Sequence, residues 1–399
     1  MKPNLSLGQY FTTNATLQTK VFSFIFNEPS IILEPCIGKG HLVSCVLSKI
    51  PNVQFDMFEI DNTIPILNTL TSRKKQIVYC DFITQNITKT YKTSIGNPPF
   101  IRHKKGNAYL DFVQKCFHLL EENGELVFIV PSDFFKLTSA SNIIQTMMKK
   151  GTFTNIYHPH NEKLFKNACI DVLIFRYEKN ISLPSTVQYN DEQMHLHHSH
   201  GLITFSSIKN HEEKEAISDH FDVFVGLVSG REQIYKHTTL GNIQVLNAEN
   251  KKDSYIFIQK FPSENTEINE YLLQHKQELL KRKIKKFHEA NWFEWGAPRN
   301  MRTINQFFGK ECIYIHNLTR KPNVAFAGTV DYFGGGLIML LPKANNTHYI
   351  SNLVNYLNSE EFKQKFMFSG RFKISHRSIS HATFPSHIMT CNTQKIIND

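Results

Sequence analysis

Short apolar runs alternate with stretches of helical periodicity over the first 180 residues of the chain. The runs at residues 31–33, 55–58 and 77–80 are mostly apolar, and each is followed at once by an acidic residue. A glycine turn separates the first run from residues 41–50, which predict a helix. This alternation is typical of a mainly parallel sheet with helices on both faces. It predicts an α/β fold with a Rossmann-like, doubly wound mixed sheet.

The pattern changes after residue 180. Residues 181–205 contain Pro184 and a polar stretch with His195, His197, His198 and His200, and we interpret them as a linker. Histidine-rich tracts can bind metal ions. This one lacks nearby cysteines and helical His-X-X-X-His spacing, so we assign no metal there. From residue 206 to residue 399, short strands, glycine turns and basic-aromatic stretches predict a second domain of the α+β class.

Asn97-Pro98-Pro99-Phe100 is the most informative motif, because it follows an apolar run that ends in Gly96. Loops after parallel strands are where open α/β sheets bind their ligands. Two prolines stiffen the loop and remove two backbone donors. The Asn97 amide oxygen and the Pro98 carbonyl can each accept one hydrogen of an exocyclic amine, and Phe100 can stack on the ring that carries it. The motif taken alone would also fit a rigid turn.

The preceding loops predict a nucleoside-containing cofactor. Gly38 and Gly40 form a Gly-X-Gly turn that lacks both the third glycine of a dinucleotide fingerprint and the Gly-Lys-Ser/Thr of a P-loop. Glu59 ends the second strand, where an acid accepts hydrogen bonds from ribose hydroxyls. Asp81 and Phe82 end the third strand and suit an adenine amino group and ring.

With these motifs in order, the sequence resembles S-adenosylmethionine-dependent amino-methyltransferases. More narrowly, it is similar to the gamma-class adenine-N6 DNA methyltransferases of restriction–modification systems. Gly8-Gln9-Tyr10-Phe11-Thr12 fits the segment that caps the methionine end of the cofactor in that family. Residues 109–112 and 124–132 fit the following helix and strand. The resemblance covers residues 1 to about 180, and residues 225–231 and 369–375 look like parts of the family's recognition domain.

The resemblance implies a class I methyltransferase fold and S-adenosyl-L-methionine as cofactor. It implies catalytic roles for Asn97, Pro98 and Phe100, and stacking of the extruded base between Phe100 and Phe165, the latter in a looser match over residues 163–172. The implied cofactor-binding residues are Tyr10, Thr12, Glu34, Cys36, Gly38, Gly40, Glu59, Ile60, Asp81, Phe82 and Asn97. The implied domains are a catalytic domain at 1–180, the linker at 181–205 and a DNA target-recognition domain at 206–399.

The net charge of +10 and the isoelectric point near 9.1 favour a polyanionic partner. Residues 274–287 predict a basic helix that follows phosphates, while Trp292 and Trp295 are interpreted as core residues. The candidate DNA-binding residues are Lys281, Arg282, Lys283, Lys285, Lys286, Arg299, Arg371, Lys373 and Arg377.

Seven cysteines without Cys-X-X-Cys pairs suggest reduced thiols, and neither a signal segment nor a run of 18 apolar residues is present. We expect a monomer in the bacterial cytoplasm or nucleoid, or the equivalent in a virus-infected cell, without membrane association. Double-stranded DNA is the expected partner, and a separately encoded restriction endonuclease is a candidate one.

The predicted function is methyl transfer to the N6 amine of adenine in duplex DNA, after extrusion of the base. One alternative is methylation of guanine N2 in RNA or of a protein glutamine amide, since such enzymes also carry Asn-Pro-Pro-Tyr/Phe. They place an extra domain before the cofactor loop, whereas here that loop begins by residue 34. A second alternative is a DNA-binding protein with a degenerate methyltransferase fold, which the intact Asn97 motif and the intact carboxylates disfavour.

Overall fold

The computed structural model describes residues 8–103, 106–165, 169–182, 186–199, 201–206, 214–344, 348–368 and 371–389. The chain divides into two compact units. The first comprises Met1–Asn210 with Phe368–Gly370, and the second comprises His211–Met367 with Arg371–Asp399.

A ten-stranded sheet forms the centre of the first unit. In spatial order its strands are β12 (Leu202–Ser206), β11 (Glu192–Ser199), β10 (Thr186–Tyr189), β8 (Thr152–Tyr157), β9 (Val172–Glu178), β7 (Leu120–Pro131), β4 (Tyr91–Gly96), β1 (Ile31–Glu34), β2 (Gln54–Glu59) and β3 (Ile77–Tyr79). Strands β3, β2, β1, β4 and β7 run parallel, and β9 pairs antiparallel with both β7 and β8. The carboxyl ends of β1 to β4 therefore meet at one edge of the sheet. A small hairpin follows β4, formed by β5 (Arg102–His103) and β6 (Gly106–Asn107).

Helices cover both faces of this sheet. They are α1 (Ala15–Ser23), α2 (His41–Lys49), α3 (Ala108–His118) and α4 (Ser141–Met148), with short 3-10 segments at Asn68–Gln76, Phe134–Lys136 and Thr138–Ala140. Leu126 and Phe128 of β7 pack with α3 and α4, whereas the alternate residues Val127 and Ile129 pack with α1 and α2. Because successive strand residues point to opposite faces, one strand serves both cores. The predicted doubly wound α/β fold is confirmed.

The predicted linker at 181–205 is wrong. Strands β10, β11 and β12 extend the central sheet from β8, and Val187, Leu196 and Ile203 are buried in its core. The first unit therefore continues past residue 180, to Asn210. The histidines of β11 alternate with Met194 and Leu196 along a strand, so their spacing is that of a half-buried strand rather than of a loop.

The second unit is built around an antiparallel sheet of four strands, in the spatial order β14 (Phe221–Val225), β20 (Leu337–Pro342), β17 (Glu311–His316) and β19 (Ala325–Thr329). Its two faces support separate cores, since Ile313 and Ile315 lie in one and Cys312 and Tyr314 in the other. The strands after residue 211 are β13 (Lys214–Ala216), β14 (Phe221–Val225), β15 (Ile243–Ala248), β16 (Lys251–Tyr255), β17 (Glu311–His316), β18 (Leu318–Thr319), β19 (Ala325–Thr329), β20 (Leu337–Pro342), β21 (Met367–Phe368), β22 (Arg371–Lys373) and β23 (Thr383–Pro385).

The helices of this second unit are α5 (Ile217–His220), α6 (Glu232–Tyr235), α7 (Thr266–Gln274), α8 (Lys276–Leu280), α9 (Met301–Phe307), α10 (Ile350–Leu357), α11 (Glu360–Gln364) and α12 (His376–Ser380), with a 3-10 segment at Ser386–Met389. The predicted α+β class is confirmed. The predicted basic helix at 274–287 is wrong beyond Leu280, because the chain from Lys281 to Phe287 is irregular. Within the described ranges, no helix is both long enough and apolar enough to cross a membrane.

Candidate active site

A cavity of about 340 Å³ opens where the carboxyl ends of β1 to β4 meet. Its volume lies within the usual range for small-molecule sites. Of the predicted site residues, the lining includes Tyr10, Thr12, Glu34, Cys36, Gly38, Glu59, Ile60, Asp81, Phe82 and Asn97. Residues from five separate stretches of the first 100 positions are therefore brought to one place, as the order of parallel strands predicts.

Asn97 lines this cavity, and hydrogen bonds hold its side-chain amide in one orientation. The side-chain nitrogen donates to the Tyr10 carbonyl at 2.7 Å and to the Thr12 hydroxyl at 3.0 Å. These two acceptors fix which end of the amide faces inward. The oxygen Oδ1 is buried and has no hydrogen-bond partner within the described residues. Leaving a buried acceptor without a hydrogen bond costs free energy. A ligand that donates a hydrogen bond to this oxygen would therefore be favoured at the site.

The segment from Gly8 to Thr12 is held against the Asn97 loop. Gly8 has a φ of +65°, and a Cβ atom there would come within 2.7 Å of Ile101, so only glycine permits this close approach. Gln9 donates to the Asp61 carboxylate at 2.7 Å, and Gln18 donates to the Thr12 carbonyl at 2.8 Å. These hydrogen bonds hold the segment at both ends. The Tyr10 carbonyl and the Thr12 hydroxyl therefore lie within hydrogen-bonding distance of the Asn97 amide.

The glycine turn after β1 packs closely against neighbouring side chains. Gly40 has a φ of +87° at the start of α2, and a Cβ atom would lie 2.3 Å from Leu70. Glu34 is 1% exposed, and burial raises its pKa to about 8, so the acid is largely neutral at pH 7. The Cys36 N–H donates to Glu34 at 3.3 Å. Burial is the main cause of the raised pKa, since the hydrogen bonds from Cys36 act in the opposite direction.

Glu59 is oriented by the backbone around it. The N–H groups of Gly38, Ile60 and Asp61 donate to its carboxylate at 2.8, 2.9 and 3.0 Å. Burial raises its pKa, and these hydrogen bonds act in the opposite direction. A carboxylate has about four lone-pair positions, so one acceptor position remains after these three bonds. Ile60, which is 61% exposed, offers a flat apolar surface beside it.

Phe82 differs from the predicted adenine-stacking role. Its side chain is 2% exposed, Phe112 is stacked on it at 5.6 Å, and the Lys115 ammonium lies 4.6 Å from the ring centroid. Phe82 therefore contributes only part of the cavity wall, and its faces are covered. Asp81 is exposed and accepts from the Ile83 N–H at 2.9 Å, so its carboxylate is held at the cavity rim.

Phe100 and Phe165 lie side by side but do not form a parallel slot. Their ring centroids are 6.3 Å apart and the planes are inclined by 82°. Tyr10 packs against both rings, stacked on Phe100 at 5.9 Å and edge-on to Phe165 at 6.1 Å. Phe165 is 4% exposed. A base sandwiched by both rings requires the Phe165 ring to reorient, and its stacking role stays a prediction. Residues 166–168 of its segment lie outside the described residues.

Helix α3 supplies cavity residues that the sequence reasoning gave no role. Ala108, Asp111 and Phe112 line the wall. Lys115, one turn further along, donates from Nζ to the carbonyls of Phe82 and Ile83, the latter at 3.1 Å, and to that of Gln85. The apolar periodicity of residues 109–117 could have indicated the buried face of α3. It could not have indicated that a lysine holds the loop after β3.

Lys115→Met is expected to weaken binding of the cofactor, because the Asp81 loop loses the ammonium that joins three of its carbonyl groups. We expect Kd to rise by roughly tenfold, equivalent to one or two lost charge-assisted hydrogen bonds. Titration calorimetry with S-adenosylhomocysteine measures this. Exposed Lys92 on β4 provides the control, since Lys92→Met should leave Kd unchanged. An unchanged Kd in Lys115→Met would contradict the role.

Arg282 is a correction to the predicted DNA-binding set. Its side chain is 6% exposed and donates to the carbonyls of Leu279, Ser229, Glu294 and Trp292. Its guanidinium also lies 3.7 Å from the centroid of the Phe287 ring. A group that is so enclosed holds the protein together and cannot also contact phosphates. Trp292 and Trp295 are each 2% exposed, which confirms the prediction that they pack in the core.

The other predicted DNA-binding residues differ in exposure. Lys281, Lys283, Lys286, Arg299 and Lys373 are exposed, and Arg371 and Arg377 are half-buried. Lys285 is also half-buried and pairs with Glu294 at 2.8 Å. Lys281, Lys283 and Lys286 therefore remain candidates for DNA contact, as exposed cations close in sequence to the buried Arg282. Residues 369 and 370, next to Arg371, lie outside the described part of the chain.

Comparison with known proteins finds a family model that is similar to part of the first unit. Residues 42–165 match the Eco57I restriction-modification methylase family. This confirms the resemblance to restriction–modification methyltransferases. Type II methyltransferase M.HincII of Haemophilus influenzae is 26% identical over 197 residues, which cover 44% of this chain and 38% of that relative. Modification methylase CviBIII of Paramecium bursaria Chlorella virus NC1A is 29% identical over 143 residues, covering 31% of this chain and 37% of the relative. The chain thus matches less than half the length of these curated relatives.

One solved structure is similar over nearly the whole chain. The Type IIL restriction-modification enzyme MmeI, determined in complex with DNA, has a TM-score of 0.56 and 10% identity. The match covers 92% of this chain and 63% of that chain. At this identity the likeness concerns the fold alone, and it extends through both units.

Proposed function

We propose that this chain is a site-specific DNA methyltransferase that modifies the N6 amine of adenine, with S-adenosylmethionine as cofactor. The observation that carries the proposal is the buried, unpartnered Oδ1 of Asn97 at the cavity wall, fixed in orientation by Tyr10 and Thr12. The restriction–modification relatives of residues 42–165 support DNA as the substrate.

The residues of the cavity fit the cofactor. Gly38 forms part of the cavity wall, Glu59 keeps one acceptor position for a ribose hydroxyl, and Ile60 offers a surface for the adenine ring. When bound, the cofactor supplies an electrophilic methyl group on a sulfonium. The protein provides position and hydrogen bonding, and no covalent enzyme intermediate is needed.

Asn97 Oδ1 and the Pro98 carbonyl accept the two hydrogens of the target amine, which aims the nitrogen lone pair at the methyl carbon. The nitrogen would take the methyl group that the cofactor supplies, and water would accept the proton that the nitrogen then loses. Phe100 stacks on the extruded base, and Phe165 does so after reorientation. The base must leave the duplex because its amine is unreachable inside the stack.

The second unit is the proposed DNA target-recognition domain. Its exposed cations Lys281, Lys283 and Lys286 are suited to phosphates, and Arg371 carries a buried Nε without a partner among the described residues. We propose duplex DNA as the partner of a monomeric enzyme, with a restriction endonuclease encoded separately.

The triple variant Lys281→Ala/Lys283→Ala/Lys286→Ala is expected to weaken DNA binding uniformly across sequences. Each lost phosphate contact should reduce the salt slope of log K by about one. Fluorescence anisotropy with a labelled duplex, measured between low and high salt, gives that slope. If the triple variant keeps the wild-type salt slope, these three lysines do not contact DNA.

The function is tested by methyl transfer from labelled cofactor to three acceptors offered separately: unmethylated genomic DNA, total RNA, and ribosomal protein extract. The proposal expects label in DNA alone. Label in RNA or protein would favour the amino-methyltransferase alternative. Cofactor binding without transfer to any acceptor would favour a DNA-binding protein with a degenerate site.

A further inference from the structure

A buried hydrogen-bonded network lies at the ends of β7, β8 and β9, outside the cavity. His158 Nε2 lies 3.0 and 2.9 Å from the two oxygens of the Asp171 carboxylate, and the Ser132 hydroxyl donates to the same carboxylate. The exposed fractions of His158, Asp171 and Ser132 are 6%, 5% and 9%. Burying polar groups destabilises the folded protein unless they are hydrogen-bonded. Core packing alone would not require this cluster, so we expect it to have another role.

The network joins the two ends of the segment that carries Phe165. His158 directly follows β8 and Asp171 directly precedes β9, so their side-chain bond closes the chain between residues 158 and 171. The backbone adds to this closure, since the Ile170 N–H donates to the Glu162 carbonyl and the Ser132 N–H to the Asp171 carbonyl, at 2.9 and 3.1 Å. Phe165 thus projects from a segment with a fixed base.

The end of strand β10 and the turn after it support the same base. The Tyr189 hydroxyl lies 3.1 Å from His158 Nδ1, and Asn190 exchanges two hydrogen bonds with the His158 backbone, at 2.8 and 3.1 Å. Burial raises the pKa of Tyr189 to about 12, so its hydroxyl remains a donor at neutral pH. With Tyr189 donating to Nδ1, the Nε2–H of His158 donates to Asp171, which gives the imidazole one orientation.

We propose that His158 and Asp171 are a positioning pair that sets the place of the Phe165 ring beside Phe100, with Tyr189 fixing the histidine. This rests on the proposed function, in which Phe165 stacks on the extruded base. Neither residue is part of the cavity lining, so the pair acts through the backbone of the segment that carries Phe165. Strand β10 and the turn after it thereby influence catalysis from a region outside the methyltransferase motifs.

A double-mutant cycle tests the proposal on the full chain. The variants are Tyr189→Phe, His158→Ala, Phe165→Ala and the His158→Ala/Phe165→Ala pair, with His158→Gln as the conservative replacement. Tyr177→Phe is the matched control, because it also loses one buried phenol hydroxyl, which donates to the Met147 carbonyl at 2.8 Å, remote from Asp171 on the strand β9. Methyl transfer is measured on a duplex with a paired target base and on one with the target opposite an abasic position.

We expect His158→Ala to lower kcat/KM on the paired duplex by roughly 10- to 100-fold, the usual cost of a misplaced group. Tyr189→Phe should lower it less, His158→Gln should recover part of the loss, and KM for the cofactor should stay the same. On the abasic duplex the loss should shrink. In the Phe165→Ala background, His158→Ala should add nothing.

Additive losses in the cycle, or equal losses on both duplexes that follow the fraction of folded protein, would overturn the proposal. Thermal denaturation of each variant measures that fraction. Failure of the wild-type protein to methylate either duplex would instead overturn the proposed function, so the two failures are distinguishable.

Discussion

Asn97→Ala is expected to lower kcat for methyl transfer by roughly 10³-fold, comparable to the loss of one preorganised hydrogen-bond group in other active sites. The variant removes Oδ1, the buried acceptor of a residue that lines the cavity. It also frees the Tyr10 carbonyl, so a small change in cofactor affinity, about threefold or less, is expected. Single-turnover kinetics and a separate titration with S-adenosylhomocysteine measure the two effects.

Thr12→Val provides the matched control for Asn97. It removes one of the two groups that receive the Asn97 amide hydrogens, and the Tyr10 carbonyl remains. We expect a loss of activity of about fivefold, equivalent to one hydrogen bond of about 1 kcal/mol. Equal loss of cofactor binding and of turnover in Asn97→Ala would contradict the assigned role, as would activity within tenfold of wild type.

Arg282→Ala is expected to lower the free energy of unfolding of the second unit by about 3 kcal/mol or more, because several buried carbonyls lose their donor together. For a unit of this size the midpoint of thermal unfolding should fall by roughly 6–12 °C. The reason is local, since one guanidinium joins the chain at Ser229, Leu279, Trp292 and Glu294. Differential scanning calorimetry checks this result.

Lys283→Ala is the control for Arg282, since it removes a neighbouring exposed cation. Its effect on the free energy of unfolding should stay within about 0.5 kcal/mol, while the salt slope of DNA binding falls by about one. If Arg282→Ala were as stable as wild type and lost DNA affinity instead, the guanidinium would be a phosphate contact and the structural role would be wrong.

The parts of the site that depend on strand order could be predicted from the sequence. Glu34, Glu59, Asp81 and Asn97 each follow an apolar run, and parallel strands bring their carboxyl ends to one edge. The orientation of the Asn97 amide could not be predicted, because its partners at Tyr10 and Thr12 are distant in sequence. This orientation determines whether the Asn97 side chain offers its oxygen, an acceptor, or its nitrogen, a donor, to a ligand.

Arg282 and the strands at 186–206 show why the rest could not be predicted. In the sequence, a run of lysines and arginines does not show whether one of them is buried. The burial of Arg282 depends in part on the Ser229 carbonyl, which lies more than 50 residues upstream. The strand β11 does alternate apolar Met194 and Leu196 with histidines. The two-residue period was not recognised as a strand, because a stretch with many polar residues is more often a loop.

The identity and position of the methylated base test the central claim most directly. Unmethylated genomic DNA would be treated with the protein and S-adenosylmethionine, digested to nucleosides for mass spectrometry, and mapped in parallel by single-molecule sequencing, with Asn97→Ala as the blank. The account predicts N6-methyladenine confined to one short sequence and absent from the blank. Methylation of cytosine instead, or N6-methyladenine that persists in the Asn97→Ala sample, would contradict it.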